Sequence, residues 1–394
     1  MGKLVQGVYM TEDQEYILQQ FIKDIEELRP DAVIIAGDLY DRAVPPTEAV
    51  QLLDNVLEQI VLGLATPVLA IAGNHDSPSR LEFGSRLLKA AGLHIAGELT
   101  NVPPAPVVLR DAYGEVHFHL VPYAEPGKIR HLLGDDSIRT FDEQVAALVR
   151  GIAGTMDASA RHVFVGHAFV TPNGEARDNT SDSERPLSVG GAEHVHARHF
   201  APFHYTALGH LHQGFPVGGD ETIRYSGSPL KYSISEQHHA KGYDVIELDG
   251  EGRVSAERRL LTPRRDMRTV EGRIEEIERH EVNEDYVFVK LTDEAPVLYP
   301  MERIRAVYPN AMHVERTPAG AVSGGGESGG LGEASRRAKM DPLALFQAFY
   351  KEMKGTEVPE DVERMFASAL QSILLAEGER DETVKIDDDG VRAV

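Results

Sequence analysis

Apolar residues in this chain fall into short unbroken blocks, and the blocks share an ending. Ala32–Ala36 runs into Gly37-Asp38, and Val68–Ala72 runs into Gly73-Asn74-His75-Asp76. His162–Val165 leads to Gly166-His167, and Tyr205–Leu208 to Gly209-His210-Leu211-His212. An apolar run without alternation is the pattern of a strand covered on both faces. Between the first two blocks, residues 46–63 read as a helix, with Pro45 and Pro46 near its start and Pro67 beyond its end. Strand–helix–strand predicts an α/β sheet with parallel pairs, and such sheets collect ligands at the carboxyl ends of their strands. All four glycine-plus-polar junctions stand at that end.

Outside these blocks the pattern changes. Thr11 with Gln14 predicts a capping box for a helix over 12–28, and residues 1–10 hold no apolar run for a buried strand. From 217 to 262 the chain alternates as β segments do, including Thr222–Tyr225 and Tyr243–Leu248, which closes a first domain over 1–262. Residues 263–316 read as a small α/β module, with strands near 268–274, 286–292 and 311–315 and a helix near 300–307. A Gly/Ser-rich linker follows over 317–338. Residues 339–378 predict a helical hairpin. Its first helix starts at Asp341-Pro342 with a stripe of Leu343, Leu345, Phe346, Phe349, Tyr350 and Met353, and its second starts near Pro359. So much apolar face beyond a linker reads as a docking element for a partner. Residues 379–394 form an acidic tail.

Composition narrows the chemistry. A length of 394 residues suggests two or three domains, and 42% hydrophobic residues supply a sizeable core. Cysteine is absent, which removes disulfides, thiolate nucleophiles and cysteine-ligated metals. Any metal must be held by His, Asp, Glu or Asn. No apolar run is long enough to cross a bilayer, and a cytoplasmic location is expected. The balance of 40 Lys+Arg against 63 Asp+Glu gives −23, so the chain does not coat nucleic acid unaided. A DNA substrate would need bound metals, a local cation-bearing cleft or a basic partner. The one notable basic stretch runs from Arg258 to Arg273 and reads as a solvated linker.

Asp38, Asn74, His167, His210 and His212 form a mixed oxygen and nitrogen set suited to divalent ions such as Mn, Fe or Zn. His210 and His212 are two apart, so in an extended segment they point the same way. His117 and His119 alternate with Val116, Phe118 and Leu120, and are read as an outer, solvated face. His194, His196, His199 and the pair His238-His239 are read as ordinary loop and surface residues.

Taken together, the junctions resemble the calcineurin-like metallophosphoesterases. More narrowly, they resemble the nuclease-subunit family of the bacterial SbcCD complexes, within the double-strand-break-repair nucleases. The motifs carrying this are Gly37-Asp38-Leu39-Tyr40-Asp41, Gly73-Asn74-His75-Asp76-Ser77-Pro78, Val165-Gly166-His167, Gly209-His210-Leu211-His212 and Tyr225-Ser226-Gly227-Ser228-Pro229, with the linker and hairpin.

The resemblance implies a phosphoesterase sandwich with a small α/β capping domain and a C-terminal helical hairpin. It implies two divalent ions, usually Mn2+, bridged by Asp38. Asn74, His167 and His210 would complete one ion, and His212 would bind the other. It makes His75 the acid that assists the leaving oxygen, oriented by Asp76. Paired ions suit phosphoryl displacement, and an imidazole can donate a proton near neutral pH. Arg80 and Lys231 are candidate contacts to DNA phosphates.

The implied substrates are double-strand DNA ends and hairpins, in repair, recombination and replication. The implied partners are an SMC-like ATPase, SbcC, docked through 339–378, and a second copy of the chain. No phosphate-binding Gly-x-x-x-x-Gly-Lys-Ser/Thr loop is present, which fits ATP hydrolysis by the partner.

The family also carries an Asp-x-His motif on a first strand, followed by Leu-Gly-Lys. Here Met1-Gly2-Lys3 stands where that Leu-Gly-Lys would be, as expected if the start was set at an initiating Leu codon. One ion would then keep Asp38, Asn74, His167 and His210, and the other only Asp38 and His212. The expectation is one well-bound ion and much reduced nuclease activity. Two other readings stay open: a phosphatase or phosphodiesterase on the same fold, and a non-catalytic scaffold for the ATPase.

Overall fold

The computed structural model describes residues 1–174, 181–184, 187 and 193–316, with 346, 347, 350, 358, 359, 362, 363, 365 and 366. Residues 1–10, expected to hold no buried strand, supply none to the two main sheets and form a small antiparallel hairpin of β1 (Leu4–Val5) and β2 (Val8–Tyr9). Helix α1 (Thr11–Leu28) follows. The capping box expected at its start is not made, because Thr11 is already helical and Met10 is the cap. Gln14 reaches elsewhere, accepting from the Gly2 amide at 3.0 Å and donating to Tyr232 Oη at 3.1 Å.

The first two apolar blocks become β3 (Val33–Ile35) and β4 (Val68–Ile71), joined through α2 (Thr47–Glu58) and a π turn over Gln59–Gly63. After α3 (Pro78–Glu82) and α4 (Ser85–Leu88), β5 (Leu93–Ala96) completes a parallel sheet in the order β3-β4-β5. All four residues of β4 are buried, as a run apolar on both faces requires.

The second sheet opens with the antiparallel pair β6 (Val107–Asp111) and β7 (Gly114–Val121). Helices α5 (Pro126–Leu133) and α6 (Phe141–Ala153) lead into β8 (Arg161–His167). Thr140 and Glu143 do form a capping box at the start of α6. Strands β9 (Phe169–Thr171) and β10 (His194–His196) pair in parallel beside it. Then β11 (Tyr205–Gly209), β12 (Phe215–Val217) and β13 (Asp220–Tyr225) give the six-stranded order β12-β13-β11-β8-β7-β6. A long hairpin of β14 (Gly242–Leu248) and β15 (Val254–Leu260) closes this part.

Three apolar cores give the layering. Ile22, Ile25, Leu52, Leu53 and Val56 of the helices meet Val33, Val68 and Ala70. Leu69 and Ile71 of β4 meet Val116, Leu120, Val163, Val165, Tyr205 and Ala207 between the two sheets. Val145, Leu148 and Ile152 of α6 cover Phe164, Leu208 and Ile223 on the far side. The result is helix, sheet, sheet, helix: the sandwich expected from the motifs.

Residues beyond 262 form a parallel sheet of β16 (Met267–Gly272), β17 (Tyr286–Leu291) and β18 (His313–Arg316), with α7 (Ile274–Ile277) and α8 (Pro300–Arg305). The short α7 is an element that no periodicity announced. Asp13 of α1 is buried, accepts from Tyr286 Oη at 2.6 Å and pairs with Arg265 at 3.1 Å, which ties this module to the first. The basic stretch is therefore no solvated linker. Arg258 pairs with Asp244, Arg259 with Glu257 and Arg268 with Asp285.

Residues 320–394 form a separate compact unit. In it the rings of Phe346 and Phe366 stack 4.1 Å apart, and Gln347 donates to Glu363 at 2.8 Å. The linker, the acidic tail and most of the hairpin expected over 339–378 lie outside the described residues.

One expectation about histidines is overturned. His119 is 2% exposed, and its Nε2 lies 3.1 Å from Nδ1 of buried His162. Alternation misleads here because β7 is covered on both faces, with Val116 and Leu120 toward the other sheet and His119 against Phe203. Burial, then His162 and His117, push His119 down to about 4. Between roughly pH 6.5 and 4 the unfolded chain binds a proton here that the folded chain does not, so stability falls as pH drops through that window. His119→Leu is expected to flatten the slope by at most about 1.4 kcal/mol per pH unit, read from urea midpoints at pH 7 and pH 5.

Candidate metal centre

The four glycine-plus-polar junctions converge although they come from two different sheets. Gly73 and Gly209 make this possible. A Cβ on Gly73 would overlap the Asp38 carboxylate and backbone, and one on Gly209 would overlap the Ala36 carbonyl. The backbones approach so closely that only hydrogen fits. Asp38 and His210 themselves adopt left-handed φ values of 53° and 101°. Non-glycine residues held there store strain, which gathers at functional sites.

His167 lies at the middle of the cluster. Its Nδ1 lies 2.8 Å from the Ala36 carbonyl oxygen, which can only accept, so Nδ1 carries the hydrogen. Its Nε2 then faces Asn74 Oδ1 at 2.9 Å and Asp38 Oδ2 at 3.4 Å. A ring nitrogen fixed from behind by a carbonyl is the usual arrangement of a metal-ligating histidine. Burial alone would raise the Asp38 carboxyl, but His167 and His75 outweigh it and hold Asp38 well below the carboxylate range. Burial likewise opposes charge on His167, yet Asp38 wins and raises it. His210 stands with its ring centroid 5.5 Å from that of His167, and burial, with His167 next, lowers it to about 3. It is held neutral, the state in which an imidazole can bind a cation.

These donors fit a divalent cation. Neighbouring ligands about 2.1 Å from an octahedral ion stand about 3.0 Å apart, close to the spacing found here. Among the described residues no three or more of His, Cys, Asp and Glu by themselves form a metal-holding group, so Asn74 is essential to the fit. Asp38, Asn74 and His167 would hold the ion, with His210 beside them.

The other expected residues divide. His75 is buried, and its Nδ1 donates to the Asp41 carbonyl at 2.7 Å, which leaves Nε2 to exchange a proton. Asp76 does not orient it, contrary to what the resemblance implies. Its carboxylate accepts from the amides of Leu39 (3.1 Å), Tyr40 (2.9 Å) and Gly73 (2.9 Å), stapling one junction to the other. Adjacency in sequence does not mean contact.

Arg80 is exposed on α3, whereas Lys231 is inside, paired with Asp266 at 2.8 Å and donating to the Gln237 carbonyl at 2.7 Å. That pairing withholds Lys231 from phosphate. His199 pairs with Asp142, at the start of α6, and joins no metal group. Tyr225, fully buried, donates to the Ala168 carbonyl at 2.8 Å and accepts from the Val170 amide at 2.6 Å, bracing the turn just after His167. His212, which the resemblance assigns to the second ion, turns its ring Nδ1 to Glu236, with Ser183, Glu184 and Lys241 around it, and the sequence pattern marks none of these.

A parallel sheet packed on a mixed one, together aiming carboxylate, amide and imidazole at one point, is the arrangement of a metal-dependent phosphoesterase. Residues 11–213 match the calcineurin-like phosphoesterase family, and residues 263–354 match the family described as the type 5 capsule protein repressor C-terminal domain. A relative from Staphylococcus epidermidis, named as the SbcD component of the SbcCD nuclease, is 32% identical over 382 residues, covering 96% of this chain and 97% of its own. The chain belongs to the calcineurin-like phosphoesterase family, in the branch of the SbcD nucleases.

Gly73→Ala must push the Asp38 backbone aside, so it should lower the urea midpoint as well as displace the Asp38 carboxylate. A shift of about 1 Å at such a site costs on the order of 100-fold in rate, and Mn2+ binding by calorimetry should weaken with it.

Proposed function

We propose that this chain is a Mn2+-dependent DNA nuclease subunit, acting as an exonuclease on double-strand ends and an endonuclease on hairpins. It would serve repair, recombination and replication in the cytoplasm with an SMC-like ATPase of the SbcC type. The single observation that carries the reading is the meeting of Asp38, Asn74 and His167 donor atoms within 3.4 Å. Family membership adds phosphodiester hydrolysis, and the relative's name adds a complex with a second component. Among the described residues no helix is long and apolar enough to cross a membrane.

Divalent ions in such a site supply an activated water and neutralise charge on the phosphate. The chain's own residues do the rest. Asp38, Asn74, His167, His210 and His212 are the proposed ligands. The Asp41 carbonyl fixes the His75 tautomer, so Nε2 is the atom that gives a proton to the departing sugar oxygen. Asp76 keeps the Asp38 and Asn74 junctions in register. Arg80, exposed on α3 shortly after the Gly73–Asp76 junction, is the proposed phosphate contact.

Residues 339–378 are the proposed dock for the ATPase. Phe83 and Leu87, 87% and 83% exposed between and along α3 and α4, are apolar side chains offered to a second copy. Phe83→Glu with Leu87→Glu should convert the dimer to monomer by light scattering, and unchanged mass would refute that surface.

The reading is tested by cutting a DNA hairpin in Mn2+. His75→Ala is expected to lose about 100- to 10,000-fold in kcat on DNA. On a nitrophenyl phosphodiester, whose leaving group needs no proton, it should stay near wild type. Turnover of the nitrophenyl compound without DNA cleavage would turn the assignment toward a small-molecule phosphodiesterase.

A further inference from the structure

Glu236 has no solvent exposure at all, yet it carries a carboxylate. Its Oε1 lies 2.8 Å from His212 Nδ1, accepts from Ser181 Oγ at 3.1 Å and also meets Ser183 Oγ. Its Oε2 accepts from Lys241 Nζ at 2.6 Å and from the Tyr232 amide at 3.3 Å. Lys241, equally enclosed, also donates to the His212 carbonyl at 2.8 Å and to Ser228 Oγ at 2.9 Å. The His212 amide donates to Glu184. The Tyr232 ring closes the remaining side, edge-on at 5.8 Å. His212 is thus gripped at its amide, its carbonyl and its ring.

Stability does not account for this arrangement. Enclosing a carboxylate and an ammonium costs several kcal/mol per ion, and an apolar pair of the same volume is often as stable. What the ion pair accomplishes is orientation. A carboxylate can only accept, so the hydrogen must sit on Nδ1 of His212 and the lone pair on Nε2. Partners behind a ligating histidine act in this way, and their loss typically weakens metal binding 10- to 100-fold.

We propose that Glu236, braced by Lys241, is a positioning residue that holds His212 as the Nδ1–H tautomer and leaves Nε2 as its ligating atom. The inference rests on the reading of His212 as a metal ligand given above.

Paired variants without enclosed charge keep the test clear of misfolding. Glu236→Gln with Lys241→Met retains a carbonyl acceptor for Nδ1–H, whereas the Leu pair, Glu236→Leu with Lys241→Met made together with Ser183→Ala to remove the hydroxyl 2.8 Å from Nδ1, does not. In metal-free full-length protein, 15N-detected NMR of the His212 ring should show Nδ1–H in the wild type and the Gln pair. The Leu pair should show the Nε2–H form or a mixture, and lose about 10- to 100-fold in the weaker of the two Mn2+ affinities by titration, the one assigned to Asp38 and His212. Nε2–H in the wild type would overturn the proposal. So would a Leu pair identical to the wild type in both tautomer and Mn2+ affinity. His212→Ala separates the two layers: unchanged Mn2+ affinity there overturns His212 as a ligand, whereas the tautomer alone decides the role of Glu236.

Discussion

The structure depends on one contact between backbones. The ends of β3 and β4, from one sheet, press against the ends of β8 and β11, from the other, at a distance that a methyl group would forbid. The sheets are drawn together by the apolar layer of Leu69, Ile71, Val163 and Val165, and their strand ends must then interleave. Gly209 permits it against Ala36, and Gly73 lets the ends of β3 and β4 close within their own sheet. Once they do, Asp38, Asn74, His167 and His210 have nowhere to point except toward each other.

This geometry explains the electrostatics. Donors forced together lower or raise one another according to charge and burial, so Asp38 stays ionised while His210 stays neutral. Backbone groups do much of the supporting work. Ala36 and Asp41 carbonyls set the tautomers of His167 and His75, and three amides occupy Asp76. Tyr225 braces the turn behind them. A rigid outer layer of this kind keeps such a site within the small tolerances that catalysis demands.

Much of this is legible in the sequence. Unbroken apolar runs ending in glycine and a polar residue give away the buried strands and their active ends, because both the burial and the close approach leave marks in composition. Contacts remote in sequence leave none. Glu236 sits in an ordinary Ser-Glu-Gln stretch, and only folding brings it 24 positions back to His212. Alternation misplaces His119 because it reports one wet face only when a strand has one, and β7 has none. The orienting role that the resemblance implies for Asp76 is not made, because its carboxylate is taken up by the amides of Leu39, Tyr40 and Gly73. Lys231 looks free in the sequence because its partner, Asp266, belongs to the following module.

The left-handed backbone at Asp38 and His210 carries one more implication. Each is a place where the polypeptide would relax if the side chain were traded for glycine, and each trade would erase a proposed ligand. Selection for hardiness and selection for turnover therefore pull against each other at these two positions, and a homologue retired from catalysis should drift there first, gaining thermal robustness as it goes.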